Sequence, residues 1–250
     1  MLSGANLLRQ IISTFNCDDL DNKAALQTTE RNLMPTTRPQ TFAEFVADGA
    51  VHVIGIGLGL TATVVLAVAL WNAGDPARQV TVMIYAACLM AMLICSALYN
   101  MLAKDQKTGI LRRLDHAAIF LMIAGTYTPL AAMIIGGWTG GVLLAVVWTG
   151  ALAGAIVKLA HLTGLDRLTV PIYLALGWVV VFAINPLIEK ASAFGFYMIL
   201  AGGLLYTIGT AFYAWKRLPF QNAIWHAFVL AAAVCHFSAV FHDVALAGAA

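Results

Sequence analysis

Seven stretches of the chain are each apolar for about 20 residues, the length that carries an α-helix across a bilayer. They run roughly Gly49–Trp71, Val80–Leu102, Asp115–Ile135, Gly141–His161, Leu168–Leu187, Phe194–Ala214 and Ala223–Leu246. Polar loops of a few residues separate them, among them "NAGDPARQ", "GGWTGG" and "WKRLPFQN". A backbone in lipid must satisfy its own hydrogen bonds, and helices do so without a partner strand. The expected fold is an all-α membrane protein, a seven-transmembrane helix bundle. Composition agrees: 61% of residues are hydrophobic and only 10% charged, against about 25% charged in a soluble domain. The small-xxx-small pairs Gly55/Gly59 and Gly150/Gly154 predict close helix approaches.

The first 40 residues are different material. "NCDDLDNKAALQTTERNLMPTTRP" is polar and punctuated by proline, so residues 1–40 read as a flexible cytoplasmic tail and 41–250 as the membrane domain. Lysine and arginine orient the bundle. Arg9, Lys23, Arg31 and Arg38 in the tail fall on one side with Lys104, Lys107, Arg112, Arg113, Lys158, Arg167, Lys216 and Arg217. Only Arg78 and Lys190 fall on the other. The positive-inside rule then puts the N-terminus in the cytoplasm and the C-terminus outside. The expected home is the inner (plasma) membrane, crossed many times, with membrane lipids as partners.

Several functions are excluded. A net charge of +2 without a basic run gives no nucleic-acid surface. No span carries a mid-membrane lysine for a Schiff base, which removes retinal chemistry. There is no GxSxG elbow and no phosphate loop. Cys17, Cys88, Cys95 and Cys235 lack metal-type spacing and read as small buried hydrophobes.

Polar residues instead gather in one leaflet. Glu44, Asp48 and His52 follow one another at four-residue intervals and share a helix face at the inner mouth of the first span. Ser96 and Asn100 end the second span on that side. Asp115 and His116 open the third, and Asn222 and His226 open the seventh. Ionisable groups inside a membrane need partners and mark functional sites. Glu44 and His116 suit an interfacial position, with Glu44 reaching water, whereas Asp115 and His226 are followed at once by apolar residues and should be buried. Histidine and aspartate suit zinc, and a serine or asparagine beside them could orient a water or an oxyanion. His236, about 15 Å further along its helix than His226, reads as a packing or hydrogen-bonding residue.

These motifs, "EFVADGAVHVIG", "SALYN", "LRRLDHAAIFLMIAGTYTP" and "IWHAFVLAAAVCHF", resemble the hemolysin III family, the bacterial branch of the progestin and adipoQ receptor (PAQR) superfamily, over roughly residues 40–245. The resemblance implies a seven-helix bundle with a zinc site near its cytoplasmic end. It also implies possible hydrolysis of ceramide-like lipid amides or a role in membrane lipid homeostasis. By that resemblance Ser96 and Asp115 match catalytic-site positions and His226 a zinc ligand. Two further histidine positions of the superfamily are Asn100 and Asn222 here, and a helix-one asparagine is Asp48. Asparagine is a poor zinc ligand beside imidazole. The metal is therefore lost, or rebuilt from His226, His52, Asp48 and Asp115, or exchanged for an ion that prefers oxygen. The alternatives to a lipid hydrolase are a hemolysin-like pore former and a non-catalytic, receptor-like membrane sensor.

Overall fold

The computed structural model describes residues 40–71, 74–103, 109–160 and 168–247. The expected tail, with Cys17, and the charged loop positions Lys104, Lys107 and Arg167 lie outside these residues, as does His161. Among the described residues there is no strand, and seven helices are long and apolar enough to cross a membrane. They are α1 (Phe42–Leu70), α2 (Pro76–Leu102), α3 (Ile110–Ile135), α4 (Gly137–Leu159), α5 (Thr169–Lys190), α6 (Ala193–Ala214) and α7 (Gln221–Ala245). The seven-helix reading of the sequence holds.

Local chemistry fixes the ends. Asp75 caps α2, its carboxylate accepting from the Arg78 amide, with Pro76 at the first helical position. Ser192 caps α6 by accepting from the Gly195 amide. Gly136 and Gly137, both at positive φ, turn the chain between α3 and α4.

α3 is the central helix. In its most apolar stretch 72% is buried, whereas the other six range from 17% to 39%. The remaining helices face outward with large apolar side chains such as Val53, Val68 and Phe182. Trp71, Trp138 and Trp215 stand exposed at helix ends, as expected of interface anchors. The small residues do what their spacing promised. A Cβ on Gly59 would come within 2.5 Å of Leu93, and one on Gly154 within 2.4 Å of Phe120, so α1 meets α2, and α4 meets α3, only because glycine is there.

Two irregularities lie close to prolines. α3 is α-helical to Pro129 and continues as a wider π turn over Leu130–Ile135. α5 is α-helical over Thr169–Gly177, tightens to a 3-10 turn over Val179–Ala183, and resumes over Ile184–Lys190. Pro186 cannot donate four residues back and crowds that carbonyl. Two backbone groups at the break are satisfied by one side chain. The Tyr127 hydroxyl donates to the Gly177 carbonyl at 2.7 Å and accepts from the Val180 amide at 2.9 Å.

A candidate metal centre between α1 and α7

Glu44 begins the site as a structural residue. The sequence Thr41-Phe-Ala-Glu44 forms a reciprocal capping box: the Thr41 hydroxyl accepts from the Glu44 amide and the Glu44 carboxylate accepts from the Thr41 amide at 2.8 Å. The other Glu44 oxygen accepts from the Phe220 amide at 2.7 Å. Phe220 is at φ 58, the one non-glycine residue at positive φ among those described. The expectation that Glu44 reaches water is therefore corrected. It is buried, because the first turn of α1 and the turn before α7 both spend their free amides on it.

That tie holds α7 beside α1. One turn along, Asp48 is fully buried and His52 nearly so. His226 crosses from α7, its Nδ1–H donating to Asp48 Oδ1 at 2.6 Å. His52 Nε2 lies 3.8 Å from the same oxygen, and the two imidazole centroids are 4.5 Å apart. One ligand atom from each of Asp48, His52 and His226 can be chosen so that all lie within 4.8 Å of one another. Asp48 Oδ2 and His52 Nε2 are buried with no protein hydrogen-bond partner. Lone pairs left over in a dry place, on an imidazole and a carboxylate with a second imidazole beside them, are what a borderline cation coordinates. The donor set fits the expected metal.

The remaining predicted residues form a neighbouring cluster between α2 and α3. Asn100 donates to the Ser96 carbonyl at 2.9 Å and lies 3.4 Å from the Ser96 hydroxyl. Ser96 hydrogen-bonds to Asp115, which lies within electrostatic reach of both His226 and Arg112. Asp115 is buried, as its sequence context predicted. It borders the trio of ligand candidates and is not one of its three members. Asn100, turned back along its own helix, does not occupy a ligand position, and Asn222 is half-buried on the first turn of α7. His116 is likewise half-buried, and its carbonyl accepts from the Tyr173 hydroxyl at 2.7 Å. Cys88, Cys95 and Cys235 are free thiols, partly exposed where full burial was expected.

Sequence reasoning missed a polar cluster at the far end of the bundle. At the opposite end of α7, Asp243 accepts from the Ser192 amide at 2.9 Å, the Ser192 hydroxyl at 2.6 Å and His242 Nδ1 at 2.6 Å. Only the "HD" pair before the C-terminus hinted at it. The partner lies 51 residues away.

Comparison with known proteins follows the same outline. A family model described as "Haemolysin-III related" matches residues 42–237. "Hemolysin-3 homolog" of Bacillus subtilis (strain 168) is 36% identical over 200 residues, covering 80% of this chain and 94% of that protein. "Hemolysin-3" of Bacillus cereus is 34% identical over 209 residues, covering 84% and 95%. The human "Monocyte to macrophage differentiation factor" is 26% identical over 175 residues, covering 66% and 70%. No solved structure matches the chain.

Proposed function

The chain belongs to the hemolysin III-related family, and on that premise we propose that it is a metal-binding membrane protein acting on membrane lipid, with Asp48, His52 and His226 as the metal's ligands. The observation that carries this is the trio itself, two of whose ligand atoms are buried and unpaired at the contact of α1 and α7. Zinc is the ion best matched to two imidazoles and one carboxylate. Such a cation supplies Lewis-acid polarisation of a carbonyl or of a water.

The residues around it take complementary parts. Asp48 holds the His226 ring in one orientation through the 2.6 Å bond. Ser96 and Asp115, hydrogen-bonded to each other, form the acid–hydroxyl pair that a hydrolytic reaction on a lipid amide or ester would draw on for proton transfer. Asn100 keeps the Ser96 side chain in place. Low charge and outward apolar faces leave lipid as the partner the surface suits. The charge asymmetry of the loops supports a cytoplasmic N-terminus and an inner-leaflet site, with the tail as a separate unit.

Elemental analysis of the purified protein tests the reading. About one equivalent of a transition metal is expected, and its loss in His226→Ala. A metal-free wild type in chelator-free buffer refutes it. Fusing a reporter after Ala250, expected outside, and after Lys107, expected inside, tests the orientation. The names of the Bacillus relatives favour a second reading, a lytic pore. Release of size-graded dyes from liposomes carrying the pure protein would support that instead.

A further inference from the structure

Ten residues past His226, α7 carries a second histidine inside the bundle, and its ring stacks on a tyrosine, Tyr206. We propose that Tyr85 of α2, Tyr206 of α6 and His236 of α7 form a mid-membrane site that binds ordered water, separate from the metal centre.

The tautomer of His236 follows from its surroundings. Its ring donates to the Ile199 carbonyl of α6. A Cβ built on Gly202 of α6 would lie 2.7 Å from Nε2, so Nε2 is the nitrogen that faces α6 and carries the hydrogen. Nδ1 is left with a lone pair. That atom is buried without a protein hydrogen-bond partner, and so are the hydroxyls of Tyr85 and Tyr206. Tyr85 is wholly buried and His236 is 9% exposed. The rings of Tyr206 and His236 stack with centroids 5.7 Å apart, and the Tyr85 and Tyr206 phenols lie within electrostatic reach of each other. Three unspent polar groups from three helices thus share one part of the interior.

Their chemistry selects the guest. Two hydroxyls can each donate, and one imidazole nitrogen can only accept. A carboxylate offers no hydrogen to Nδ1. An ammonium cannot accept from a phenol. A transition metal would find a single imidazole among neutral phenols, a weak ligand set. Water both donates and accepts, and a buried water typically makes about three hydrogen bonds to groups that would otherwise be unpaired. The site lies about 15 Å along α7 from His226, beyond the reach of a ligand held by the trio. Water there would bridge α2 to the α6–α7 pair at a depth where lipid gives helices no hydrophobic reason to associate.

Conservative substitutions decide the matter by sign. If the hydroxyls stand unpaired, Tyr85→Phe and Tyr206→Phe each remove a desolvated polar group and leave thermal stability in detergent unchanged or raised. If they hold water, each lowers the midpoint by roughly 2–6 °C, and the double variant loses less than the sum because both act on one guest. An unchanged or raised midpoint, or strictly additive losses, overturns the proposal. A density map fine enough to show waters gives the independent check. A peak within hydrogen-bond distance of at least two of the three atoms is expected. Direct contact of a phenol with Nδ1, and no peak, overturns the proposal whatever the midpoints do. Neither result bears on the metal content of the trio.

Discussion

α7 enters two aspartate–histidine pairs, one near each end, with Asp48 of α1 and with its own Asp243, and they differ in what the carboxylate has left to give. In both the histidine Nδ1 lies 2.6 Å from a carboxylate oxygen, and in both the acid is buried. At Asp243 each oxygen is occupied: Ser192 donates to it through amide and hydroxyl, and His242 adds a third bond. The histidine is half exposed, and Ser192 in turn caps α6. This pair is a clasp joining the end of α7 to the start of α6. At Asp48 one oxygen has no protein partner, a second imidazole stands 3.8 Å from the other, and both histidines are buried or nearly so. The same two residue types make a closed joint in one place and an open ligand set in the other. The distinction lies in unspent lone pairs, not in composition.

The largest expected difference concerns metal. Asp48→Ala should lower metal affinity by about 100-fold or more, because losing a ligand should exceed the 10–100-fold cost of losing a supporting residue. Asp243→Ala should leave affinity within about twofold. Titration of both purified variants with zinc against a competing chelator measures this. Equal losses would show that Asp48 acts only as a structural joint, as Asp243 does.

Stability should order the two acids the other way. Asp243→Ala strands the amide and hydroxyl of Ser192 and leaves the half-exposed His242 to water, and should cost about 2–3 kcal/mol. In metal-free protein Asp48→Ala removes one strong bond and also an unpaired buried oxygen, so its cost should be smaller. Unfolding in detergent under chelation makes the comparison. A larger loss at Asp48 would mean that its second oxygen is bonded after all.

How far the sequence foretold this contrast depends on how far apart the partners lie along the chain. The spans were legible because bilayer thickness imposes one length on every helix. Asp48 and His52 were legible as a pair because four residues is one turn of α1. His226 joined them by depth and by the family resemblance: loop charges set the leaflet, and counting from the span ends set the level. The Thr41–Glu44 capping box was also written in order, yet the acid reads as interfacial until Phe220 closes over it. The Asp243–Ser192 joint and the Tyr85–Tyr206–His236 group were illegible for one reason. Their members come from different helices, and single-helix periodicity does not say which faces meet. The break in α5 was signalled by Pro186, but its repair by Tyr127 depends on α3 lying at the centre.

Glu44 offers an intermediate test. It lies just beyond the open pair but is wired like the closed one, with both oxygens accepting from backbone amides. Glu44→Ala should cost about 1 kcal/mol, the usual worth of a cap. It should also reduce metal affinity modestly, since it fixes the turn that precedes His226. A variant with wild-type stability would place Glu44 in water and break the link between the start of α1 and the start of α7.

The smallest effect should come from the histidine of the closed pair. His242 is half exposed, and its ring touches Phe194 with centroids 5.0 Å apart. Water can replace what it gives Asp243, and exposed ion pairs contribute about 0–1 kcal/mol. His242→Ala should therefore shift stability by less than about 0.5 kcal/mol and leave metal content unchanged. His226 is the matched control: its side chain is 12% exposed and its loss leaves Asp48 buried without its hydrogen-bond donor. His226→Ala should destabilise the metal-free protein by about 1–3 kcal/mol. Paired unfolding curves for the two alanine variants, run with and without added zinc, separate the contributions. Zinc should raise the midpoint of His242→Ala as it does the wild type, and should do nothing for His226→Ala. A zinc response retained by His226→Ala would show that the cation binds elsewhere, and α7 would then carry two joints rather than one joint and one site.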